Sequence, residues 1–412
     1  MLCRSAPLEN PLTLFIPRLA NASLSTAMAS AASARFAPPP AVRRTAVKRA
    51  AVRAMASSAP APEKKPVASL LGCMTIGWKF ASTDCDDDVS VALIRKFVDA
   101  GHRELDTALA YSGGETEKII ARVLGGNPEL LAKVTVATKA NPWPGGNMTS
   151  TAGEGGLSPR ELRKQVEQSV ASLSPVTIDL LYLHAPDAAT PIEDTLEELV
   201  VLYKEGKFKR LGLSNFMAWE VVKIHSLCGK YGLPQPDTYQ GMYNCLTRAC
   251  ESELVPALKA CNIRFVVYNP LCGGLLTGKH AGNLSEPGKS ETGSGRFTNN
   301  ATYQTRFWTK EYFAAVDLIV TACGDVTDEK ITPTEASLRW LYSHSKLDGS
   351  KGDGVILGAS SAAHLASNLA AAETAADGKK PLPKNVLDAI EKGHAMCVPV
   401  SPPYARGHSK LK

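Results

Sequence analysis

From about residue 66 onward, short apolar runs alternate with longer amphipathic stretches along the chain. Apolar runs of this length, bounded by glycine, proline or polar residues, are typical of strands, whereas the longer stretches repeat apolar residues with the period of a helix. The pattern predicts eight strands, at 67–77, 103–108, 133–140, 178–186, 209–215, 237–244, 264–270 and 353–360.

Helices are predicted after each of these strands. Asp87 and Asp88 suit a helix N-terminus and Gly101 suits its end, while Ser158 followed by Pro159 is a typical N-cap pair. A long glycine-rich excursion separates the seventh strand from its helices. The predicted helices cover 87–101, 115–126, 158–173, 191–206, 217–232, 250–262, 311–323, 333–345 and 361–373.

Strands that alternate with helices in this way form a parallel sheet through right-handed crossovers. Eight such units predict an α/β fold of the (β/α)8 TIM barrel type, a single domain over residues 66–406, with the active site at the C-terminal strand ends. A doubly wound open sheet is the alternative. It requires a glycine fingerprint after the first strand, and "GCMTIGWK" lacks one.

Composition and charge narrow the class of protein. The chain of 412 residues is 44% hydrophobic and 21% charged, as in globular proteins, and no uncharged apolar run approaches the roughly 18 residues of a membrane span. The net charge is +6, but residues 1–54 hold eight basic residues and one acidic residue, which leaves 38 basic and 39 acidic residues in the rest of the chain. The body of the chain therefore offers no electrostatic argument for nucleic acid binding.

The N-terminal segment, residues 1–60, is rich in Ala, Ser and Arg and almost free of acidic residues. This composition predicts an organelle transit peptide and disordered leader, with a processing site at "VRA", Val52 to Ala54. The high hydroxyl and proline content favours the chloroplast over the mitochondrion. A disordered cytosolic extension is one alternative, and a secretory signal is another, although Arg18 and Arg35 interrupt its apolar stretch.

The ten cysteines follow no metal-binding spacing, since no CxxC occurs and four residues separate Cys245 from Cys250. Free buried thiols in a reducing compartment are the expected state, with a redox switch as the open alternative. No metal site is predicted.

Polar residues stand at the predicted C-terminal ends of three consecutive strands. Asp106 ends the second, Lys139 the third and His184, in "YLHAPD", the fourth, while Tyr111 lies five residues after Asp106. Each alone has a structural explanation, such as a capping histidine or a solvated lysine. Together they form a set of acid–base groups suited to the addition of hydride to a carbonyl. The ammonium lowers the pKa of the phenol, the carboxylate holds the ammonium, and the imidazole orients the carbonyl oxygen.

Longer motifs carry these residues. "ELDTALAYS", "VATKANPWP" and "IDLLYLHAPD" resemble the aldo-keto reductases. "EGKFKRLGLSNFMAWEV", "YQGMYNCLTRACESELVPAL", "VVYNPLCGGLLTGK", "RFW", "ASLRWLYSHS" and "GDGVILGASS" resemble the branch of aflatoxin-aldehyde and succinic-semialdehyde reductases. The resemblance covers about residues 68–406, with the motifs in the same order. It implies a barrel enzyme that reduces small aldehydes with NADPH.

By this resemblance, Tyr111 is the proton donor, Asp106 and Lys139 tune it, and His184 orients the substrate carbonyl. The alternative function is binding, because potassium-channel β-subunits share this barrel and hold a nicotinamide cofactor while serving as interaction partners. The complete set of four residues favours the enzyme. A homodimer is left open as the assembly.

The resemblance also assigns residues to the cofactor. The nicotinamide would be held by Ser214, Asn215, Gln240 and, through stacking, Tyr268. The pyrophosphate would be wrapped by Asn269, Pro270, Leu271, Gly273, Gly274, Leu275, Gly278 and Lys279, with Arg296 folded over the cofactor.

The start of the last predicted helix would offer free N–H groups to a phosphate, although an ordinary N-cap is the alternative. The residues assigned there are Gly358, Ser360, Ser361, His364 and Asn368. His364 and Ser367 stand where the branch usually has Gln, so the grip on the 2′-phosphate of NADPH is expected to differ.

On the substrate side, the resemblance implies Met74, Trp143, His184 and Arg406. Arg406 lies in "YAR", where the branch carries an aromatic-x-Arg element over the barrel mouth. Its guanidinium is expected to face a substrate carboxylate, and a solvated tail arginine is the alternative. The loop 141–157 is longer and richer in glycine than in the branch and is expected to overhang the mouth.

Overall fold

The computed structural model describes residues 65–78, 84–143, 148, 151–281, 296–297, 300–376 and 380–410. Eight parallel strands close into a barrel in chain order, and β8 pairs with β1. The strands are β1 (Ala68–Gly72), β2 (Glu104–Asp106), β3 (Thr135–Ala140), β4 (Ile178–Leu183), β5 (Arg210–Ser214), β6 (Thr238–Met242), β7 (Arg264–Tyr268) and β8 (Gly354–Gly358). The predicted (β/α)8 barrel is confirmed, and the open sheet is wrong because no strand of the barrel is left as an edge. The predicted leader lies outside the described residues.

Amphipathic helices surround the strands and bury their apolar faces against them. The helices are α1 (Asp87–Asp99), α2 (Glu115–Gly125), α3 (Pro128–Leu131), α4 (Pro159–Leu173), α5 (Ile192–Lys204), α6 (Ala218–Tyr231), α7 (Leu254–Ala260), α8 (Ala301–Phe307), α9 (Lys310–Gly324), α10 (Pro333–Ser343), α11 (Ala362–Ala376) and α12 (Lys384–Cys397). The connection from β7 to β8 is the longest, and its described residues include three α-helices, α8, α9 and α10.

Some predicted bounds differ from the structure. β1 ends at Gly72 rather than at residue 77, because the chain leaves its partner β8 there and enters a 3-10 turn, Cys73–Thr75. The sixth predicted helix begins at Leu254 rather than at residue 250, since turns precede it. Ser158 does occupy the N-cap of α4, but its hydroxyl donates to the Gly155 carbonyl (2.8 Å) and so closes the preceding loop.

Bulky side chains fill the interior of the barrel below the C-terminal strand ends. Tyr182 of β4 is buried and lies across the interior, and a Cβ on Gly212 of β5 would approach its ring to 2.5 Å. Leu70, Val266 and Ile356 form a second interior cluster. The described side chains therefore fill the barrel below its mouth, and the C-terminal face is where a ligand is expected to approach.

The described helices include none that is long and apolar enough to cross a membrane. Within the described part of the chain, the cysteines are free thiols, all of them buried except the half-buried Cys261. No group of three or more His, Cys, Asp or Glu residues in that part is arranged to hold a metal ion.

Candidate active site

Three of the four predicted acid–base residues lie at the ends of neighbouring strands. Asp106 is the last residue of β2, Lys139 is the last but one of β3, and His184 follows β4 directly. The His184 N–H donates to the Ala140 carbonyl (3.0 Å), which extends the ladder between β3 and β4 by one bond. Tyr111 opens a 3-10 turn after β2. Because the strands are parallel, their polar ends meet at one rim.

Lys139 and Asp106 form a buried ion pair. The Lys139 ammonium lies 2.9 and 2.8 Å from the two oxygens of the Asp106 carboxylate and donates to the Thr107 carbonyl (2.6 Å). Its fourth neighbour is the Tyr111 hydroxyl, at 3.3 Å. The Lys139 side chain is completely buried, so the carboxylate is what keeps this cation stable in the interior.

Burial decides the protonation state of Tyr111. Burial, together with the Asp106 carboxylate, raises the pKa of Tyr111 well above its usual value. The sequence predicted a lowered pKa for this phenol, but the net pKa is raised although Lys139 lies beside it, because burial penalises a phenolate and Asp106 adds a negative charge nearby. Burial also lowers the pKa of Lys139, while Asp106 acts in the opposite direction. At neutral pH the site presents a protonated phenol.

His184 is a neutral imidazole beside this phenol. Burial, and secondarily Lys139 and Arg406, lower the pKa of His184 well below its usual value. Its ring lies edge-on to Tyr111 (6.2 Å between centroids) and to Trp143 (5.6 Å). The Nδ1 atom is buried without a hydrogen-bond partner among the described residues. The imidazole is thus held by packing, and a substrate oxygen is a natural partner for the ring.

A cavity of ≈ 720 Å³ opens at this rim and runs toward the start of α11. It brings together most of the residues that the sequence assigned. They are Met74, Asp106, Tyr111, His184, Ser214, Asn215, Gln240, Tyr268, Asn269, Pro270, Leu271, Gly273, Gly274, Lys279, Arg296, Gly358, Ser360, His364, Asn368 and Arg406.

Five assigned residues do not line the cavity. Lys139 lies behind Asp106, and Trp143 lies behind His184. Leu275 is completely buried in the core, and Gly278 packs toward Pro333. The Ser361 hydroxyl accepts the His364 N–H (3.2 Å), which is the ordinary N-cap role.

The residues predicted to hold the nicotinamide contact one another. Tyr268 donates to Asn215 Oδ1 (2.7 Å), and Asn215 Nδ2 donates to Ser214 Oγ (2.9 Å). Gln240 Nε2 donates to Asp106 Oδ1 (2.7 Å), so this amide also holds the carboxylate of the buried ion pair. The sequence assigned Gln240 to the nicotinamide alone and did not predict its hydrogen bond to Asp106.

The cavity wall also contains residues that the sequence analysis did not assign. They are Gly72, Thr75, Trp78, Met148, Thr277, Asn300, Thr302, Tyr303, Arg306, Thr334, Ile356 and Ala359, together with Ser367, which was noted as a departure from the branch. Several lie in or just before α8, where no strand end marks a functional position. Arg306, in the motif "RFW", was the one visible signal in this region.

The wall is strongly cationic. Lys279, Arg296, Arg306 and Arg406 line it, and Asp106 is the only carboxylate among the described lining residues. That carboxylate is already paired with Lys139. The cavity therefore suits an elongated anionic ligand.

The C-terminal tail brings Arg406 to the cavity. Its backbone N–H donates to the Asn215 carbonyl (2.9 Å), and its guanidinium lies 5.2 Å from the centre of the Trp143 ring. The Tyr404 hydroxyl accepts the Ala218 N–H (3.2 Å), which fixes the tail to α6. Arg406 is thus not a solvated tail residue; burial lowers its pKa, while Tyr268 acts in the opposite direction.

Comparisons with known proteins agree with this geometry. A model of the Aldo/keto reductase family matches residues 70–380. The chain is 42% identical over 361 residues to aflatoxin B1 aldehyde reductase member 2 of Homo sapiens, a match that covers 86% of this chain and 93% of the relative. It is 41% identical over 330 residues to human aflatoxin B1 aldehyde reductase member 4 (79% and 93% covered). It is 40% identical over 346 residues to human aldo-keto reductase family 7 member A3 (82% and 97%).

Proposed function

This chain belongs to the aldo/keto reductase family, and we propose that it is an NADPH-dependent reductase that converts small aldehydes and reactive carbonyls to alcohols. The observation that carries the proposal is the cluster of Tyr111, Lys139, Asp106 and His184 at the mouth of a cationic cavity. The cluster contains a proton donor, a cation to stabilise what the donor leaves behind, and a neutral group to orient a carbonyl.

The residues present fit a phosphate-bearing dinucleotide. The cavity is elongated between the rim and α11, and its four cations are suited to phosphate groups. Lys279 and Arg296 would hold the phosphates, and the start of α11 would add backbone N–H groups. When bound, NADPH would supply the hydride that reduces the carbonyl carbon.

The roles of the four residues follow from their positions and charges. Tyr111, which burial keeps protonated, donates its proton to the substrate oxygen as negative charge develops there. Lys139, 3.3 Å from the phenol oxygen, stabilises the phenolate that remains. Asp106 keeps Lys139 charged and in place. His184, which burial keeps neutral, orients the substrate oxygen toward Tyr111.

The direct test is a steady-state assay of the purified protein with 4-nitrobenzaldehyde. We expect oxidation of NADPH at a rate that depends on the aldehyde, and weaker turnover with NADH. A protein that binds NADPH but does not turn over any of a panel of aldehydes would instead favour a binding role. Comparison of kcat/KM across that panel would identify the preferred substrate.

We further propose that the protein acts in the chloroplast, with the mitochondrion as the alternative. The composition of residues 1–60 supports this location. A homodimer is proposed as the assembly. Light scattering of the purified protein tests it through the molecular mass in solution.

A further inference from the structure

Tyr303, in α8, links two other residues of the cavity wall, Arg296 and Asn269. Its hydroxyl accepts a hydrogen bond from Arg296 Nη1 (2.9 Å) and donates one to Asn269 Oδ1 (3.2 Å). Asn269 directly follows β7 and has a left-handed backbone, with φ of 56°. A single phenol therefore links Arg296 to the end of a barrel strand.

The ring of Tyr303 and the guanidinium of Arg296 each pack closely against a glycine. A Cβ on Gly273 would lie 2.7 Å from the Tyr303 ring, and a Cβ on Gly358 would lie 2.9 Å from Arg296 Nη2. Gly273 and Gly358 were assigned to the cofactor on sequence grounds. In the structure, these glycines also make room for Tyr303 and Arg296, so the pair occupies a defined place in the cavity wall.

Three guanidinium groups act on the Tyr303 phenol. Burial raises the pKa of Tyr303, but Arg296, Arg306 and Arg406 outweigh burial, and the net pKa is lowered. The other charged or titratable residues that line the cavity are Asp106, Tyr111, His184, Tyr268, Lys279 and His364. Among the described residues, no carboxylate forms an ion pair with Arg306. The Tyr303 phenol oxygen is therefore a hydrogen-bond acceptor within a cluster of guanidinium groups.

We propose that Tyr303 is a positioning residue for the cofactor, whose hydroxyl holds Arg296 in the cavity wall so that the guanidinium is shared between the phenol and a cofactor phosphate. The inference rests on the proposed NADPH site and adds a residue to it. Holding the arginine in place before binding reduces the conformational entropy that the side chain loses when the phosphate arrives.

The arrangement links NADPH binding to the ionisation of Tyr303. A phosphate near Arg296 and Arg306 offsets their charge and adds its own, so it raises the pKa of Tyr303. NADPH therefore binds better when the phenol is protonated. As the pH rises through the pKa of Tyr303 in the free protein, the phenol ionises and NADPH affinity falls.

The first test replaces the hydroxyl and keeps the ring. Tyr303→Phe should raise the Kd for NADPH about tenfold at pH 7.5, measured by quenching of protein fluorescence, since a hydrogen bond to a charged group is lost. The KM for NADPH should rise by a larger factor than that by which kcat falls. Tyr342→Phe is the matched control, because that phenol is also buried and bonds Ser69 Oγ (2.7 Å), outside the cavity. Its Kd should equal that of the wild type.

The second test asks whether Tyr303 acts through Arg296. Arg296→Ala should weaken NADPH binding, and adding Tyr303→Phe to it should change the Kd by less than twofold, because the hydroxyl then has no guanidinium to hold. Independent, multiplicative losses would overturn the proposed link. So would an unchanged Kd in Tyr303→Phe alone.

The third test uses ultraviolet absorbance of tyrosinate, and its main measurement is made on the wild-type protein. In the wild type, one tyrosine should ionise before the others, and NADPH should shift its titration to higher pH. Tyr303→Phe should lose this early transition. An early transition whose midpoint pH does not change when NADPH is added would overturn the inference. A wild-type protein that binds no NADPH in the fluorescence assay would overturn the proposed function instead.

Discussion

At the scale of single residues, the charged groups of the site differ from the groups that stay neutral. Asp106 and Lys139 carry opposite charges and cancel each other in the interior, while Tyr111 and His184 stay neutral because burial shifts both pKa values away from the charged forms. In the proposed reaction, the proton to be donated therefore rests on a neutral acid. The cation that stabilises its conjugate base is already in contact.

The first prediction concerns the proton donor. Tyr111→Phe should lower kcat by about 10²- to 10⁴-fold, because positioned acid catalysis is lost. The Kd for NADPH should stay close to that of the wild type, since the aromatic ring is retained. Stopped-flow turnover and equilibrium binding measure the two quantities separately. A variant within threefold of wild-type kcat would remove Tyr111 from the proposed role.

The pH dependence of reduction follows from the same two residues. The pKa of His184 lies well below 6.5, so the imidazole stays neutral as the pH falls to 6, and the pKa of Tyr111 lies well above 10, so the phenol stays protonated as the pH rises to 9. We therefore expect kcat for reduction to be flat from pH 6 to 9 at saturating NADPH. The measurement is a pH profile with an uncharged aldehyde. A titration midpoint within that interval would contradict the assignment of protonation states.

Arg406 gives a prediction about the substrate. Its guanidinium lines the cavity beside Trp143, where it can pair with a carboxylate at the far end of a small aldehyde. A charge-assisted pair contributes roughly 1.5–3 kcal/mol, so Arg406→Ala should raise the KM for succinic semialdehyde about tenfold or more. The KM for 4-nitrobenzaldehyde, which has no carboxylate, should hardly change. Equal losses for both would mean that the tail acts by closing the cavity.

At the scale of elements, the loop after β4 organises the mouth of the barrel. The buried Asp187 carboxylate accepts the N–H groups of Gly155 (2.7 Å), Leu157 (2.8 Å) and Ala189 (3.0 Å). The Asp187 carbonyl accepts the Lys410 N–H (3.0 Å). One residue of "YLHAPD" therefore fixes both the segment before α4 and the C-terminal tail that carries Arg406.

Removing this anchor should cost stability. Asp187→Ala leaves three N–H groups without their acceptor, and we expect the free energy of unfolding to fall by about 2–4 kcal/mol. Asp187→Asn keeps one acceptor oxygen and should lose about half as much. Urea unfolding measures both. The exposed Asp99, at the end of α1, is the control, and Asp99→Ala should change the value by less than about 0.5 kcal/mol. Equal stability of Asp187→Ala and the control would contradict the anchoring role.

At the scale of the whole molecule, the barrel brings residues that are distant in the sequence to one cavity. Met74 follows β1 and Arg406 lies in the tail, yet both line the same wall. The closed order of the strands makes this possible, because every strand ends at the same face. The described residues begin at residue 65, and the segment before them is the predicted leader.

The prediction for that segment is proteolytic processing. The basic, acid-poor composition stops after Arg53, and we expect the mature protein to begin between Ala54 and Ser58. N-terminal sequencing of the protein isolated from its source cell tests this directly. A mature chain that starts at Met1 would rule out a cleaved transit peptide. Import into isolated chloroplasts or mitochondria would distinguish the two organelles.

The sequence by itself determined the eight strands, most of the helices and the rim that carries Asp106, Lys139 and His184. Local patterns were sufficient for these features, because apolar periodicity selects the elements and parallel order places all strand ends on one face. Exact ends were less predictable. β1 stops at Gly72, where its pairing with β8 stops, and no apolar pattern records that limit.

Only the tertiary structure decided the charge states and the hydrogen bonds that link residues of the site. The raised pKa of Tyr111 depends on burial and on Asp106, and the sequence indicated the proximity of Lys139 and Asp106 but not the burial of the phenol. The link from Gln240 to Asp106 and the link from Arg296 through Tyr303 to Asn269 join residues on separate elements. Burial and long-range contacts are properties of the packed chain, and no local pattern of residues specifies them.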